Sequence, residues 1–275
     1  MISIFGSIGF SMMQNTNLGK KIIIFADMHD QLNKCQNNKS IAEWFKEKFN
    51  SSRILLEEVP RMEDSGIQEL WSESEHTQKL KELYLNNNKT IIGVDVRHTM
   101  IPFSLELINK VNDDVRKMLL SSYLKEIDNF FSMKHKYMID NLNNYKIDSI
   151  KKTDLGSHFL KIKKHYLNFL NKYSNILNNP IIIDIVDDVN DILNDIMEWY
   201  ICACIFDTKM MTINLHAGLA HTDKVNNWLV NHYKFIVQKE YGINNMEEIM
   251  KQHNEMSGCV LLSTDIEKQF GGKKI

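Results

Sequence analysis

The sequence is short of several things, and each shortage excludes a class of protein. Three prolines and eleven glycines among 275 residues leave little material for long disordered linkers. The four cysteines, Cys35, Cys202, Cys204 and Cys259, are scattered and form no zinc-like pairs. They are expected to be buried or incidental thiols of an intracellular protein. Neither sign of charge dominates, with Lys+Arg 33 against Asp+Glu 35 and a formal net charge of -2. Such a balance gives no electrostatic ground for a nucleic-acid or anionic-membrane partner. No apolar run reaches the length of a membrane span. The opening "MISIFGSIGFSMM" lacks a basic leader and a cleavage site, so it reads as a first strand and turn rather than a signal peptide. A cytoplasmic location is the expectation.

What is present is enough apolar material for a full core, 43% of the chain. The length suits one large α/β domain or a domain carrying an insertion. Richness in Asn, Lys and Ile points to an AT-biased genome, such as that of a large DNA virus or a protist, and in the viral case to the host cytoplasm or the virion.

"KIIIFA" at 21–26 is a continuous apolar run, as expected of a strand covered on both faces. "SIAEWFKEKF" at 40–49 has helical spacing through Ile41, Trp44, Phe45 and Phe49. "SSRILLEEVP" gives a second strand ended by Glu57 and Glu58, followed by a helix through Ile67, Leu70, Trp71, Leu80 and Leu83. "KTIIGVDVRH" gives a third. This alternation predicts a mostly parallel central sheet flanked by helices. From Phe103 to Asp207 the period changes to three and four, which predicts a large all-helical insertion. The α/β pattern returns with the strand "KMMTINLHAGLAHT", the helix "DKVNNWLVNHY" and the strand "KFIVQK", and "SGCVLLS" suits an edge strand. The expected division is 1–102, 103–207 and 208–275, the first and last parts building one α/β domain.

Four of these strands end in chemically capable side chains. The first ends in Asp27, His29 and Asp30, and the second in Glu57 and Glu58. The third ends in Asp95, Arg97 and His98, and the fourth in His216 and His221. The carboxyl ends of parallel strands share one edge, where open α/β folds bind ligands. Imidazole is the usual general base near neutral pH, and a carboxylate beside it orients it or shares a metal with it. Two His with a Glu or Asp form a common zinc donor set, here His29, Glu57, His216 and His221, which would take zinc, manganese or a similar ion. Arg97, with Asp95, could hold an anionic group of the substrate, or the two could equally pair with each other and only stiffen the edge. Glu57 and Glu58, being adjacent on a strand, are expected to face opposite ways, one toward solvent or Arg97.

These elements resemble the erythromycin esterase/ChaN-like superfamily, which also takes in the TraB and Tiki proteins. "ADMHD" at 26–30 is similar to its Gly-Glu-x-His-Asp/Gly element, and "LLEE" at 55–58 to its strand ending in Glu. "GVDVR" at 93–97 is similar to a Gly-x-Asp strand, and "AGLAHT" at 217–222 to the final Gly-x-x-His. The elements keep the family's order from about residue 20 to 240. Ala26 stands where the family has Gly, and Asp27 where it has Glu. The resemblance implies a hydrolase acting on an ester or peptide-type substrate, with His29, Glu57 and His221 as its functional residues.

Other motifs carry less. Asp184, Asp188, Asp191 and Asp195 recur at helical spacing opposite Ile185, Val189, Ile192 and Ile196, as on an amphipathic helix with an acidic outer face. His158 and His165 read as surface or packing residues. Cys202 and Cys204 lie on different faces of a helix. "GSIG" lacks the spacing of a phosphate loop. A metallophosphoesterase needs later Gly-Asp and Gly-Asn-His elements that are absent. The competing class is a non-catalytic protein that holds a ligand or metal on the same fold and meets a protein partner through the helical insertion.

Overall fold

The computed structural model describes residues 1–29, 35, 38–60, 74–87, 90–100, 110–135, 154–173, 183–251, 257–263 and 265–266. The chain divides into two compact units, the first comprising Met1–Glu58, Met62–Val94 and Thr208–Ile275, the second Val59–Arg61 and Asp95–Asp207.

The first unit opens with β1 (Ile2–Phe5), β2 (Gly9–Asn15) and β3 (Lys20–Asp27). Next come β4 (Asn38–Ser40), α1 (Ile41–Lys46), β5 (Arg53–Leu56), α2 (Glu75–Asn86) and β6 (Ile91–Gly93). In the second unit are α3 (Arg97–Met100), α4 (Asp113–Phe131), α5 (Asp154–Lys172) and α6 (Ile183–Asp207). The chain then returns to the first unit for β7 (Thr212–Gly218), α7 (Leu219–Asn231), β8 (Ile236–Gly242), α8 (Met246–Met250) and β9 (Cys259–Leu262).

The main sheet has the order β6-β5-β7-β3-β2-β8. Its first four strands run parallel, and β2 and β8 extend it in antiparallel pairings. The mixed α/β architecture with a mostly parallel sheet is therefore as the apolar runs imply. The central strand β3 reads Ile22, Ile23, Ile24, Phe25, all within 1% of full burial, because both of its faces are covered. A second, three-stranded sheet, β4-β1-β9, takes the first residues of the chain.

α1 starts with a capping box, Ser40 accepting from the Glu43 N–H while the Glu43 carboxylate accepts from the Ser40 N–H. That fixes the helix so that Trp44 and Phe45 meet the edge of Phe25, at centroid distances of 6.2 and 5.7 Å. α2 presents His76, Leu80 and Tyr84 on its buried face, a spacing of four.

In the second unit, Phe130, Phe159 and Trp199 pack their rings together, and Trp199 Nε1 donates to the Leu155 carbonyl at 2.9 Å. Ile185, Val189, Ile192 and Ile196 are buried in α6, while Asp188 meets Lys172 at 2.7 Å at the surface, so the acidic series is the outer face of a helix. From Ile196 to Ile205 that helix is buried all round, and Cys202 and Cys204 are both interior despite their different faces. His158 is buried, and His165 is exposed beside Asp195.

Cys35 and Cys259 correct the reading of four unpaired thiols. They form a disulfide, with Cα atoms 6.2 Å apart, that ties the segment after β3 to β9. A spacing of 224 residues in sequence gives no sign of the pairing, which the small sheet creates by setting β9 beside β1. Among the described residues no helix is long and apolar enough to cross a membrane.

Candidate active site

The carboxyl ends of β3, β5 and β7 deliver the site. β7 lies between the other two, with Phe25 opposite His216 on one side and Leu56 opposite His216 on the other. Beyond Leu56 the chain leaves the strand, and the Glu57 N–H still bonds to the His216 carbonyl at 3.0 Å. Each strand therefore releases its first polar residues at the same level.

Asp27, the last residue of β3, is wholly buried. Its Oδ2 receives His76 Nε2 at 2.8 Å and His29 Nδ1 at 3.2 Å, with His216 Nε2 at 3.9 Å. Its Oδ1 accepts the Met28 N–H at 2.8 Å. Burial opposes the charge, but hydrogen bonds from His29 and His76 and the field of His216 outweigh it and hold the carboxyl well below the usual carboxylate range.

His29 occupies the left-handed region, φ 58°, where side chains other than glycine rarely sit. That turn points its ring back between two carboxylates. Nδ1 faces Asp27, and Nε2 bonds to Glu57 Oε2 at 2.9 Å. Burial again works against the charge, yet Asp27 and Glu57 overcome it and raise the imidazole to about 11. Its side chain keeps 34% of its surface exposed, so water at that edge screens part of the effect.

Glu57 is the second hub. Its Oε2 also accepts the Gly218 N–H at 2.6 Å, at the start of α7, where a carboxylate suits the positive end of the helix. His221 Nε2, in the first turn of α7, stands 3.6 Å from Oε1, which is an electrostatic approach rather than a hydrogen bond. Gly218 leaves little room for a side chain. A Cβ there would sit 3.1 Å from His29 Nε2 and 3.3 Å from Glu57 Oε2.

His216 serves the site from below. Its Nε2 donates to the Gly6 carbonyl at 2.8 Å, which fixes its tautomer, and burial pushes its basicity down. Gly6 has φ 95°, and a Cβ there would lie 2.8 Å from the Cβ of His76. The first glycine of "GSIG" thus lets the backbone come up against two site histidines. The edge of Phe5 faces the ring of His76 and Phe45 that of His216, at 5.9 and 6.3 Å, and both keep water away.

Above this network lies a cavity of about 110 Å³. Leu56 and Leu80 form its apolar side; His29, Glu57, Glu58, Thr77 and His216 form the polar one. Glu57 and Glu58 are both buried and both line it. The expectation that they face opposite ways fails because β5 ends at Leu56, so strand alternation no longer governs them.

His29, Glu57 and His221 therefore converge as expected from the sequence, and Asp27 and His76 join them. Asp95 and Arg97 are in the second unit and grip one another, Arg97 Nε to Asp95 Oδ1 and Arg97 Nη2 to Oδ2, each at 2.8 Å, with Nη1 on Asn194 Oδ1. A guanidinium forked onto a buried carboxylate in this way is not the open anion clamp that was anticipated. His98 stands 3.4 Å from the same Asp95. Asp30 lies outside the described residues.

His29, Glu57, His216 and His221 are not grouped around one point as the ligands of an ion would be. Among the described residues no group of three or more His, Cys, Asp or Glu side chains is placed to hold an ion. His216 spends its Nε2 proton on a carbonyl, and both nitrogens of His29 are turned to carboxylates. A zinc-binding imidazole needs a bare nitrogen aimed at the ion. The donor set suits a proton better than a cation.

His76 was not foreseen. It is at the end of no strand, and only its phase gives it away, four residues before Leu80 and eight before Tyr84 on the buried stripe of α2. Comparison of the chain with protein-family models, with curated proteins and with solved structures found no match.

Proposed function

We propose that this site is the acid–base centre of a hydrolase that cleaves an ester or peptide-type bond. The observation that carries the reading is the placing of the His29 imidazole between the carboxylates of Asp27 and Glu57 at the edge of a cavity, which favours its protonated form. A protonated imidazole is an acid, so the base has to be another group. Glu57 takes that part, removing a proton from water as the water oxygen bonds to the substrate carbonyl carbon. His29 gives its proton to the leaving oxygen or nitrogen as the bond to the carbonyl carbon breaks. The proton held by Glu57 then returns to His29 along their shared hydrogen bond, which restores the starting state. Asp27 holds His29 in register, and His221 stands beside the other Glu57 oxygen. The resemblance to the erythromycin esterase/ChaN-like superfamily supports the same three residues.

The experiment is hydrolysis of an ester and peptide panel by the purified chain, with metal analysis of the same sample. Activity that falls by about 10²–10⁴ in both His29→Ala and Glu57→Gln supports the reading. Activity untouched by either substitution refutes it, and a stoichiometric metal whose removal abolishes activity refutes the metal-free form.

A second reading, a non-catalytic binding protein on the same fold, is favoured by one observation. Both ring nitrogens of His29 are already engaged by carboxylates. On that reading the panel is inert and ligand affinity alone responds to the substitutions.

A further inference from the structure

The cavity beside His29 has the size and lining of a selective subsite. Resting on the hydrolase reading, we infer that it receives a short, uncharged acyl group and that it excludes long chains and carboxylate-bearing acyl groups.

Size comes first. A cavity of about 150 Å³ in a protein interior holds benzene, six carbon atoms. In proportion, the present cavity of about 110 Å³ holds roughly four heavy atoms, which corresponds to an acetyl to butyryl group. Its closed side is set by Leu56 on β5 and Leu80 on α2, both packed into the core and held by buried neighbours. A longer chain would have to displace one of them, and close-packed interiors resist that.

Chemistry along the walls sets the charge. Two acidic side chains, Glu57 and Glu58, line the cavity, and the His29 imidazole beside them is already held between Asp27 and Glu57. His216 faces the same space with its Nε2 proton given to the Gly6 carbonyl, and burial pushes its basicity down. A carboxylate on the acyl chain would meet the like charge of Glu57 and Glu58 along the wall. An uncharged chain meets Leu56 and Leu80, which are suited to methylene groups. The carbonyl end then falls at the polar side, where His29 and Glu57 work.

The test separates this inference from the reading on which it rests. Ethyl esters from acetate to octanoate, and monoethyl succinate, are offered to the full chain, and kcat/KM is measured. Binding of acetamide, butyramide and octanamide is followed in parallel by ligand-observed NMR, which needs no turnover. The expected result is at least about a tenfold preference for acetate and butyrate over octanoate, and a similar penalty for the succinate ester. Leu80→Ala should raise the octanoate rate relative to butyrate by about tenfold, and Leu80→Phe should abolish butyramide binding. Circular dichroism checks that both variants fold; where one does not, the chain-length series of the unaltered protein decides. Octanoate cleaved as well as butyrate, or succinate as well as butyrate, overturns the subsite and leaves the hydrolase standing. Short amides that bind and respond to Leu80→Phe while no ester is cleaved leave the subsite standing and overturn the hydrolase. Neither binding nor cleavage overturns both.

Discussion

His76 Nε2 meets Asp27 Oδ2 at 2.8 Å in a place where neither side chain reaches water. The contact joins the first turn of α2 to the end of β3, and it sets which way the Asp27 carboxylate can turn. The other ring nitrogen of His76 is buried and makes no hydrogen bond among the described residues. Its one bond is thus directed wholly at Asp27. Removing it by His76→Ala leaves a buried carboxylate short of a donor, at a cost of about 1–3 kcal/mol. The melting temperature should fall, and the ring resonances of His29 should move with it. An unshifted His29 spectrum would show that Asp27 does not transmit the change.

Protonation of His29 and His216 should separate cleanly. Ring nitrogen chemical shifts at neutral pH should report an imidazolium for His29 and a neutral imidazole with its proton on Nε2 for His216. Equal titration of both near 6.5 would contradict the carboxylate sandwich around His29.

Stability should bend with pH in two windows. A histidine whose folded-state pKa is raised contributes in full below its unfolded value and loses that contribution as pH rises through the folded one. For His29 the loss runs from 6.5 to about 11, moderated by the exposed edge of its ring. An acid whose folded-state pKa is lowered contributes above its unfolded value, so Asp27 support is lost as pH falls below 3.8. Denaturant midpoints should therefore peak between 3.8 and 6.5 for these two groups, and Asp27→Asn should flatten the acid limb. An acid limb unchanged in that variant would assign it to other carboxylates.

Gly218→Ala tests the closeness of the three strand ends. The backbone there, φ -55° and ψ 147°, accepts alanine, so the effect comes from the new methyl pressing on His29 and Glu57. A displacement of a few tenths of an ångström should lower turnover about tenfold with little loss of stability. A variant as active as the parent would mean that the pair is held less tightly than its 2.9 Å contact implies.

Non-reducing peptide mapping should recover Cys35 joined to Cys259, with Cys202 and Cys204 alkylated only after unfolding. Replacing both bridge cysteines by serine should cost about 2–5 kcal/mol. Recovery of four alkylated cysteines from protein kept under oxidising conditions would refute the bridge.

The sequence made the sheet legible where a strand is buried on both faces. "IIIF" in β3 and "INL" in β7 have no polar side to confuse the pattern. It made the site legible where a strand ends in charge, which is why His29, Glu57 and His221 could be named. It hid what depends on three-dimensional adjacency alone. His76 enters from a helix, Gly6 from a turn, and Cys35 meets Cys259 only because β9 lies beside β1. Asp27 was visible as a strand-end carboxylate, but its place as the hub of three imidazoles follows from pairings no local pattern records. Arg97 stayed open between two readings for a related reason: its carboxylate partner is two residues away, and a guanidinium already paired reads in sequence like one awaiting an anion.

The first unit is discontinuous, and β7 joins β3 to β5 only after the whole second unit has been made. On a ribosome, Glu57 emerges 161 residues ahead of Gly218, the residue whose N–H locks its carboxylate, and His29 earlier still. Until then β3 and β5, paired only with β2 and β6, each keep one edge whose backbone groups wait for β7. A nascent chain halted before Thr212 should thus be sticky, chaperone-bound and chemically inert, and the final quarter of the polypeptide acts as the keystone of its assembly.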